Sequence, residues 1–392
     1  MAESALQRDE RFMARALRAA QSGDPSPNPH VGAVVARGSE LISVGFHPRC
    51  GGPHAETVAL RRAGEKARGA TLYVTLEPCN HFGRTPPCVD AIIAAGIRRV
   101  VVGAADPLPH KRGGYARLRR AGIEVAHGVL GERAERAIDD FRKHRLQGLP
   151  FVTLKAAVTL DGRTAARSGE SKWITGAAAR AEVHKMRARS DAVLVGVGTV
   201  LADDPELTVR AVRGRDPMRV VLDSQLRTPT RAKLVRSANQ VRTLIVHAHG
   251  APVQRAAKLR AQGVELIAVA RSRRASAGLD PTAALRALAE RGIVRLLVEG
   301  GAHIHAALLE AGLVDSAAVF VAPRVLGDMQ AIPMVAGTAA RRLQDAFVLV
   351  QPEIVRLGDD VLFRGPVATG HAQISKDPAA TAKAGPRRST RL

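Results

Sequence analysis

The sequence predicts an α/β protein made of two layered domains in tandem. Three observations carry this. The chain has 392 residues, more than one ordinary core holds, so two domains of roughly 150 to 220 residues are expected. Short apolar runs of strand length alternate with segments of helical period in both halves, without an internal repeat. Between the halves, a charged helical segment from Glu132 to Leu146 ends at Gly148 and Pro150. The boundaries drawn from these signals are 1–148, 149–366 and a tail of 367–392. That tail is rich in Ala, Lys, Arg, Ser and Thr with no apolar period, which predicts disorder.

In the first half, Phe12, Met13, Ala16, Leu17 and Ala20 recur at helical spacing from Asp9 to Gln21, and Gly23 and Pro25 end the helix. The turn 25–29 leads into a strand at 31–35, and Gly38 with a second strand at 41–45 makes a hairpin. A helix from His54 to Ala63 follows, then a strand at 70–75 and a loop carrying Cys79 and Cys88. A helix from Cys88 to Ala95, a strand at 99–103, a helix near 115–121 and a strand at 123–126 complete the domain.

Chemistry concentrates in Pro53-His54-Ala55-Glu56 and in the loop from Glu77-Pro78-Cys79 to Pro86-Pro87-Cys88. One imidazole and two thiolates bind zinc and leave a coordination position for a water, whose pKa falls towards ~7. Each cysteine follows a proline, and Cys88 opens a helix whose dipole favours the thiolate. Glu56 does not ligate; it is placed to move protons between that water and a departing amine, as the H-x-E glutamate does in zinc nucleobase deaminases. A lone His-x-Glu pair is a weak signal, since most sit on solvated helix faces; a strand and two Pro-Cys pairs after it make the combination specific. Cys50, four residues before His54, is the alternative ligand, and a fourth protein ligand would instead make a closed structural site. Nucleic-acid and cytidine deaminases carry P-C-x-x-C, whereas Cys79 and Cys88 are separated by a long Gly- and Pro-containing insert, so the pocket wall is built differently.

The second half opens with a strand at 151–157, followed by Thr159-Leu-Asp-Gly-Arg163 and Ser168 to Thr175. A helix from Ala177 to Arg189, a strand at 192–195 and a loop from Gly196 through Thr199 to Pro205 come next. Further strands fall at 219–222, 241–246, 264–269, 295–298 and 317–321. The last turn, Glu299-Gly300-Gly301, lies between a strand and an apolar helix, where a phosphate can meet backbone N–H groups. Alone it is weak, because the G-x-G-x-x-G fingerprint is missing. His303 and His305 read simply as residues on that helix.

Taken together, Pro27-Asn28-Pro29-His30-Val31-Gly32, PHAE at 53–56 and TLEPCNHFGRTPPC at 75–88 resemble the bifunctional riboflavin-biosynthesis deaminase/reductase family. LKAAVTLDGRTAARSGESKWIT at 154–175, VLADDPELTVR at 200–210, VLDS at 221–224 and VEGG at 298–301 extend the resemblance over residues 9–365. It implies a cytidine-deaminase-like three-layer domain followed by a dihydrofolate-reductase-like domain. It also implies one zinc ion and NADPH as cofactors, with the hydrolytic deamination of a phosphoribosylaminopyrimidine preceding reduction of its ribosyl group. Carried over by position, NADPH contacts fall at Ala157, Trp173, Thr199, Asp203, Ser224 and the turn Gly301, Ala302, His303, Ile304, His305, Ala306 and Ala307. Substrate contacts fall at Asn28 in the first domain and at Ser171, Arg187, Leu207, Arg210 and Glu299 in the second. Arginines suit a phosphate because the planar fork donates two hydrogen bonds at once. The bland reading of Arg187 is a solvated helix face, and that of Asn28 a turn residue. One departure stands out: the family's D-P-N-P loop is Asp106-Pro107-Leu108-Pro109 here, and Leu108 lacks the amide of Asn.

The formal net charge of +23 with 3% aromatic residues raises nucleic-acid binding as a rival reading, an RNA or nucleoside deaminase fused to a reductase-like binding domain. The arginines are scattered in pairs and only one Trp and two Tyr are available to stack bases, which argues against it. A phosphorylated pyrimidine as substrate and a dinucleotide explain part of the charge, not all of it. Three cysteines give no disulfide framework, and the absence of a long apolar run or an apolar N-terminal core predicts a soluble cytoplasmic protein with no membrane partner. A homo-oligomer is compatible with the sequence and not specified by it.

Overall fold

The computed structural model describes residues 3–83, 85–272 and 278–369. The chain divides into two compact units, Met1–Pro150 and Phe151–Leu392.

The first unit runs α1 (Ala5–Ala20), β1 (Gly32–Arg37), β2 (Glu40–Phe46), α2 (Ala55–Ala63), β3 (Thr71–Leu76), α3 (Cys88–Ala94), β4 (Arg99–Ala104), α4 (Gly114–Arg120), β5 (Glu124–His127), α5 (Gly131–Arg136) and α6 (Asp139–Gln147). Helix α1 starts earlier than its apolar period suggests, because Ser4 and Gln7 form a reciprocal capping box. The sheet order is β2-β1-β3-β4-β5, with β1 antiparallel to β2 and β3 and the rest parallel. Two glycines show how helices cover both faces. A Cβ on Gly32 would meet the Ala16 carbonyl of α1 at 1.9 Å, and one on Gly45 would meet the Ala55 carbonyl of α2 at 2.3 Å. Gly45 pairs with Ala33, the neighbour of Gly32, so the two glycines point to opposite faces. Helix, sheet and helix therefore form three layers. The single helix expected over 132–146 is broken at Ile138, whose backbone leaves the helical region. Ile138 is buried in the core, and Asp140 bonds the Phe141 amide, a local bond that competes with helix continuation.

The second unit runs β6 (Phe151–Thr159), β7 (Arg163–Ala165), α7 (Ala177–Ala188), β8 (Ala192–Gly196), α8 (Val197–Asp203), β9 (Met218–Leu222), α9 (Lys233–Arg236), β10 (Thr243–Ala248), α10 (Val253–Ala261), β11 (Glu265–Val269), α11 (Pro281–Ala289), β12 (Arg295–Gly300), α12 (Ala302–Glu310), β13 (Ser316–Ala322), β14 (Ile332–Pro333), β15 (Phe347–Leu349), β16 (Glu353–Leu357) and β17 (Asp360–Thr369). One sheet has the order β11-β10-β9-β8-β12-β6-β13-β17-β15, with β16 also on β17. From β11 to β13 the neighbours are parallel, and the runs of Val, Leu and Ile in β8, β10 and β12 are buried on both faces, as a covered parallel sheet requires. Two expectations change here. The stretch after Gly196 is not a loop but helix α8, whose Val197 and Val200 are buried. Strand β17 continues through Val367, Ala368 and Thr369, paired with β15, so the strand takes in the first residues assigned to the tail; 370–392 lie outside the described residues.

Candidate functional site

In the first unit, β3 and the loop after it bring the cysteines to the start of α2. His54 is the N-cap of α2, with Nδ1 3.2 Å from Cys88 Sγ and 3.5 Å from Cys79 Sγ. The Cys88 amide donates to Cys79 Sγ at 3.3 Å, the kind of bond that an N-terminal helix amide makes to a thiolate. Among the described residues, His54, Cys79 and Cys88 form the group whose ligand atoms lie within 4.8 Å of one another. Cys50 is not part of it. One nitrogen and two sulfurs at this spacing suit tetrahedral zinc with a position left open. The thiol of Cys88 hydrogen-bonds Cys79 and brings it down to about 4, while the same bond and burial push the Cys88 thiol up. Metal binding requires both thiols as thiolates, so a divalent cation would displace the thiol protons. Glu56, in the first turn of α2, is 4% exposed. Burial raises its carboxyl above the ordinary range, partly opposed by His54.

Two neighbours of this centre, His47 and Glu77, have roles that escaped the sequence reading. His47 is buried; its Nδ1 donates to the Pro53 carbonyl at 3.0 Å and its Nε2 lies 3.3 Å from Asn28 Nδ2. With that tautomer fixed, Nε2 accepts from the Asn28 amide, so Asn28 is a fastened side chain rather than a plain turn residue. The His47 ring stands edge-on to His54 at 5.2 Å. Glu77 is buried and accepts from the amides of Gly113 and Asp106 at 3.1 and 3.4 Å, tying the 106–114 loop to the cysteine loop. Gly114 permits that approach, since a Cβ there would meet the Pro78 carbonyl at 2.2 Å. Leu108 turns inward and is buried.

The second unit holds a cavity of 1510 Å³ at the C-terminal ends of its parallel strands, larger than the roughly 300–1,000 Å³ of a pocket for one drug-sized ligand. It is lined by Ala157, Ser171, Trp173, Arg187, Thr199, Asp203, Leu207, Arg210, Ser224 and Glu299, and by Gly301 to His305. Ala306 and Ala307 are not among the lining residues; they are buried on α12, because a helix turns successive residues away from any one face. Gly301 is the N-cap of α12 and no side chain caps the turn, which suits the free N–H groups to a pyrophosphate. Ser171 donates to Asp203 Oδ1 at 2.9 Å. Arg187 is no solvated residue: its Nε and Nη2 donate to both oxygens of Glu299 at 2.5 and 2.8 Å, and its Nη1 donates to the Thr208 carbonyl. Burial would push Glu299 up, but Arg187 and then Lys155 hold it down to about 2. Lys155 lines the same cavity, and burial lowers its own pKa against the pull of Glu299. The signal for it was a lone lysine within an otherwise apolar strand.

A family model for the cytidine and deoxycytidylate deaminase zinc-binding region matches residues 6–104, and one for the RibD C-terminal domain matches residues 150–363. The riboflavin biosynthesis protein RibD of Aquifex aeolicus is 41% identical over 358 residues, covering 90% of this chain and 97% of that protein. The Escherichia coli protein of the same name is 42% identical over 386 residues, covering 90% and 98%. Among solved structures, Acinetobacter baumannii RibD matches at 39% identity with a TM-score of 0.79, over 93% of this chain and all of that one. A Thermotoga maritima diaminohydroxyphosphoribosylaminopyrimidine deaminase/5-amino-6-(5-phosphoribosylamino)uracil reductase matches at 37% with a TM-score of 0.79, again over 93% and 100%. The chain belongs to the RibD family of riboflavin biosynthesis enzymes, which couple a zinc-dependent deaminase to an NADPH-dependent reductase.

Proposed function

We propose that His54, Cys79 and Cys88 hold the zinc ion and that Glu56 is the proton shuttle of the deaminase. The observation that carries this is the convergence of His54 Nδ1 and two sulfurs beside a buried carboxyl. Zinc, when bound, supplies a Lewis acid that makes water nucleophilic near neutral pH. Glu56 takes a proton from the attacking water as its oxygen bonds to the amine-bearing ring carbon of 2,5-diamino-6-(5-phosphoribosylamino)pyrimidin-4-one. It returns that proton to the amine, which leaves as ammonia. Asn28, held by His47, contacts the substrate.

In the reductase, Ala157, Trp173, Thr199, Asp203, Ser224 and the Gly301 turn through His305 contact NADPH, which supplies the hydride to the ribosyl carbonyl carbon. Arg187 and Arg210 face the phosphate end of the substrate, Glu299, Ser171 and Leu207 complete its pocket, and Asp203 is held for cofactor placement by Ser171. Lys155, beside Glu299, is positioned to give the carbonyl oxygen its proton. Among the described residues no helix is long and apolar enough to cross a membrane, and the setting we propose is the cytoplasm, in keeping with the RibD family.

Replacing Glu56 with Gln tests the deaminase assignment. Ammonia release should fall about 10²- to 10⁴-fold, the usual contribution of general acid–base catalysis, with zinc content and reduction of the deaminated substrate unchanged. Retained deamination would remove Glu56 from the mechanism, and loss of zinc would make it structural.

A further inference from the structure

Helix α7 turns Arg180, Val183, His184 and Arg187 towards the reductase cavity. Three of these have an evident use. Arg187 pairs with Glu299, Arg180 stacks its guanidinium over Trp173 at 4.4 Å, and Val183 packs into the core. His184 does something different: its Nδ1 accepts the backbone N–H of Arg210 at 3.1 Å. A ring nitrogen accepts only when it carries no proton, so this bond places the ring proton on Nε2 and exists only for neutral imidazole.

The segment it holds needs holding. Leu207 has a φ of 56°, a left-handed conformation that a branched residue keeps only when its surroundings enforce it. The enforcement comes from several side chains. Arg187 donates to the Thr208 carbonyl at 3.0 Å, Asp216 accepts from the Val209 amide at 2.6 Å, and the buried Arg219 donates to the Glu206 carbonyl at 3.4 Å. Among the bonds described, His184 is the one that fastens the main chain of Arg210 itself. The Arg210 side chain, meanwhile, pairs with Glu206 and lies 3.3 Å from Thr208 Oγ1. A carboxylate thus already occupies the guanidinium, and an incoming phosphate has to exchange with it at a fixed place.

We infer that His184 is a positioning residue of the reductase: by accepting the Arg210 N–H it sets where the Arg210 guanidinium meets the anionic end of the substrate. This rests on the reading that Arg210 binds the substrate phosphate. The charged groups facing His184 are Arg187 on its own helix, Arg210 on the loop and Glu299 on β12. Burial lowers its pKa first, the two arginines lower it further, and Glu299 and the Thr208 backbone oppose them. The bond to the Arg210 N–H holds the ring neutral, the lowered pKa works in the same direction, and proton uptake at Nδ1 breaks the bond.

The test uses the full-length protein, the deaminated substrate and saturating NADPH. His184→Leu should raise KM about tenfold or more with kcat at saturation within about twofold, and should weaken competition by inorganic phosphate in parallel. His184→Asn, whose Oδ1 takes the place of Nδ1, should restore KM and phosphate competition. It should also lack the acid-side rise in KM expected of the native enzyme as His184 takes up a proton below its ordinary value. Since the substrate phosphate titrates identically in both proteins, the difference between the two profiles belongs to His184. NADPH affinity, measured by fluorescence titration, reports an intact fold. An unchanged KM in His184→Leu, or an Asn variant as impaired as Leu with NADPH binding intact, overturns the inference. Arg210→Ala separates the two claims: if its KM is unchanged the phosphate assignment fails, and if its KM rises while that of His184→Leu does not, His184 alone is wrong.

Discussion

Glu299 lies between two cations, Arg187 and Lys155, in the cavity proposed as the reductase site. Its carboxylate is almost inaccessible, with 7% of the side chain exposed, and Arg187 is little more exposed at 12%. A buried ion pair of this kind adds little net stability, yet removing one partner strands the other. Arg187→Met should therefore destabilise the second unit by about 3 kcal/mol, read as a lower denaturant midpoint, and should abolish substrate binding. Glu299→Gln with an intact arginine should bind NADPH normally and reduce substrate poorly. The pairing itself was beyond the sequence: both residues were singled out, but they are 112 positions apart and only the fold shows that they hold each other. The residues proposed as zinc ligands stand out more plainly in the sequence, because a metal dictates residue type and number. His47, Glu77 and Lys155 have roles defined by what they touch, and no local pattern announces them.

Element by element, the parallel strands and their helices were the clearest part, since buried strands are written as continuous apolar runs. Boundaries moved where a single side-chain bond decided them, as Ser4 does for α1 and Asp140 for the break before α6. Strands β15, β16 and β17 were missed because β15 has three residues, β16 and β17 carry Glu353, Arg356 and Arg364 among their apolar residues, and all three lie beside a segment read as tail. Helix α1 also carries an electrostatic tie invisible in its periodicity. Buried Asp9 accepts from Arg99 at 2.9 Å through both oxygens and from the Tyr73 hydroxyl at 2.9 Å. Burial would raise the Asp9 carboxyl, but Arg99 and Tyr73 outweigh it and lower it below 3.8. The folded form thus holds the proton less tightly than the unfolded form, so the contribution is fully present above pH ~4 and is lost as pH falls through the lowered value. Asp9→Asn should cost about 3 kcal/mol at pH 7, and should flatten the acid limb of stability against pH in chemical denaturation of the full chain.

For the whole molecule, the two-part organisation was legible from length, alternation and the Gly148-to-Pro150 break, while the strand order of the larger sheet was not. That order has a metric consequence. The proposed cofactor contacts follow four neighbouring strands: Ser224 after β9, Thr199 after β8, Gly301 after β12, and Ala157 on β6. Three steps of about 4.8 Å span roughly 14 Å across the sheet, so the strand ends act as a ruler laid along a dinucleotide, with one end at β9 and the other at β6. A reduced nicotinamide mononucleotide covers only part of that length and should bind far more weakly than NADPH. Adding free adenosine phosphates should recover little of the loss, because the two halves would then have to be positioned separately.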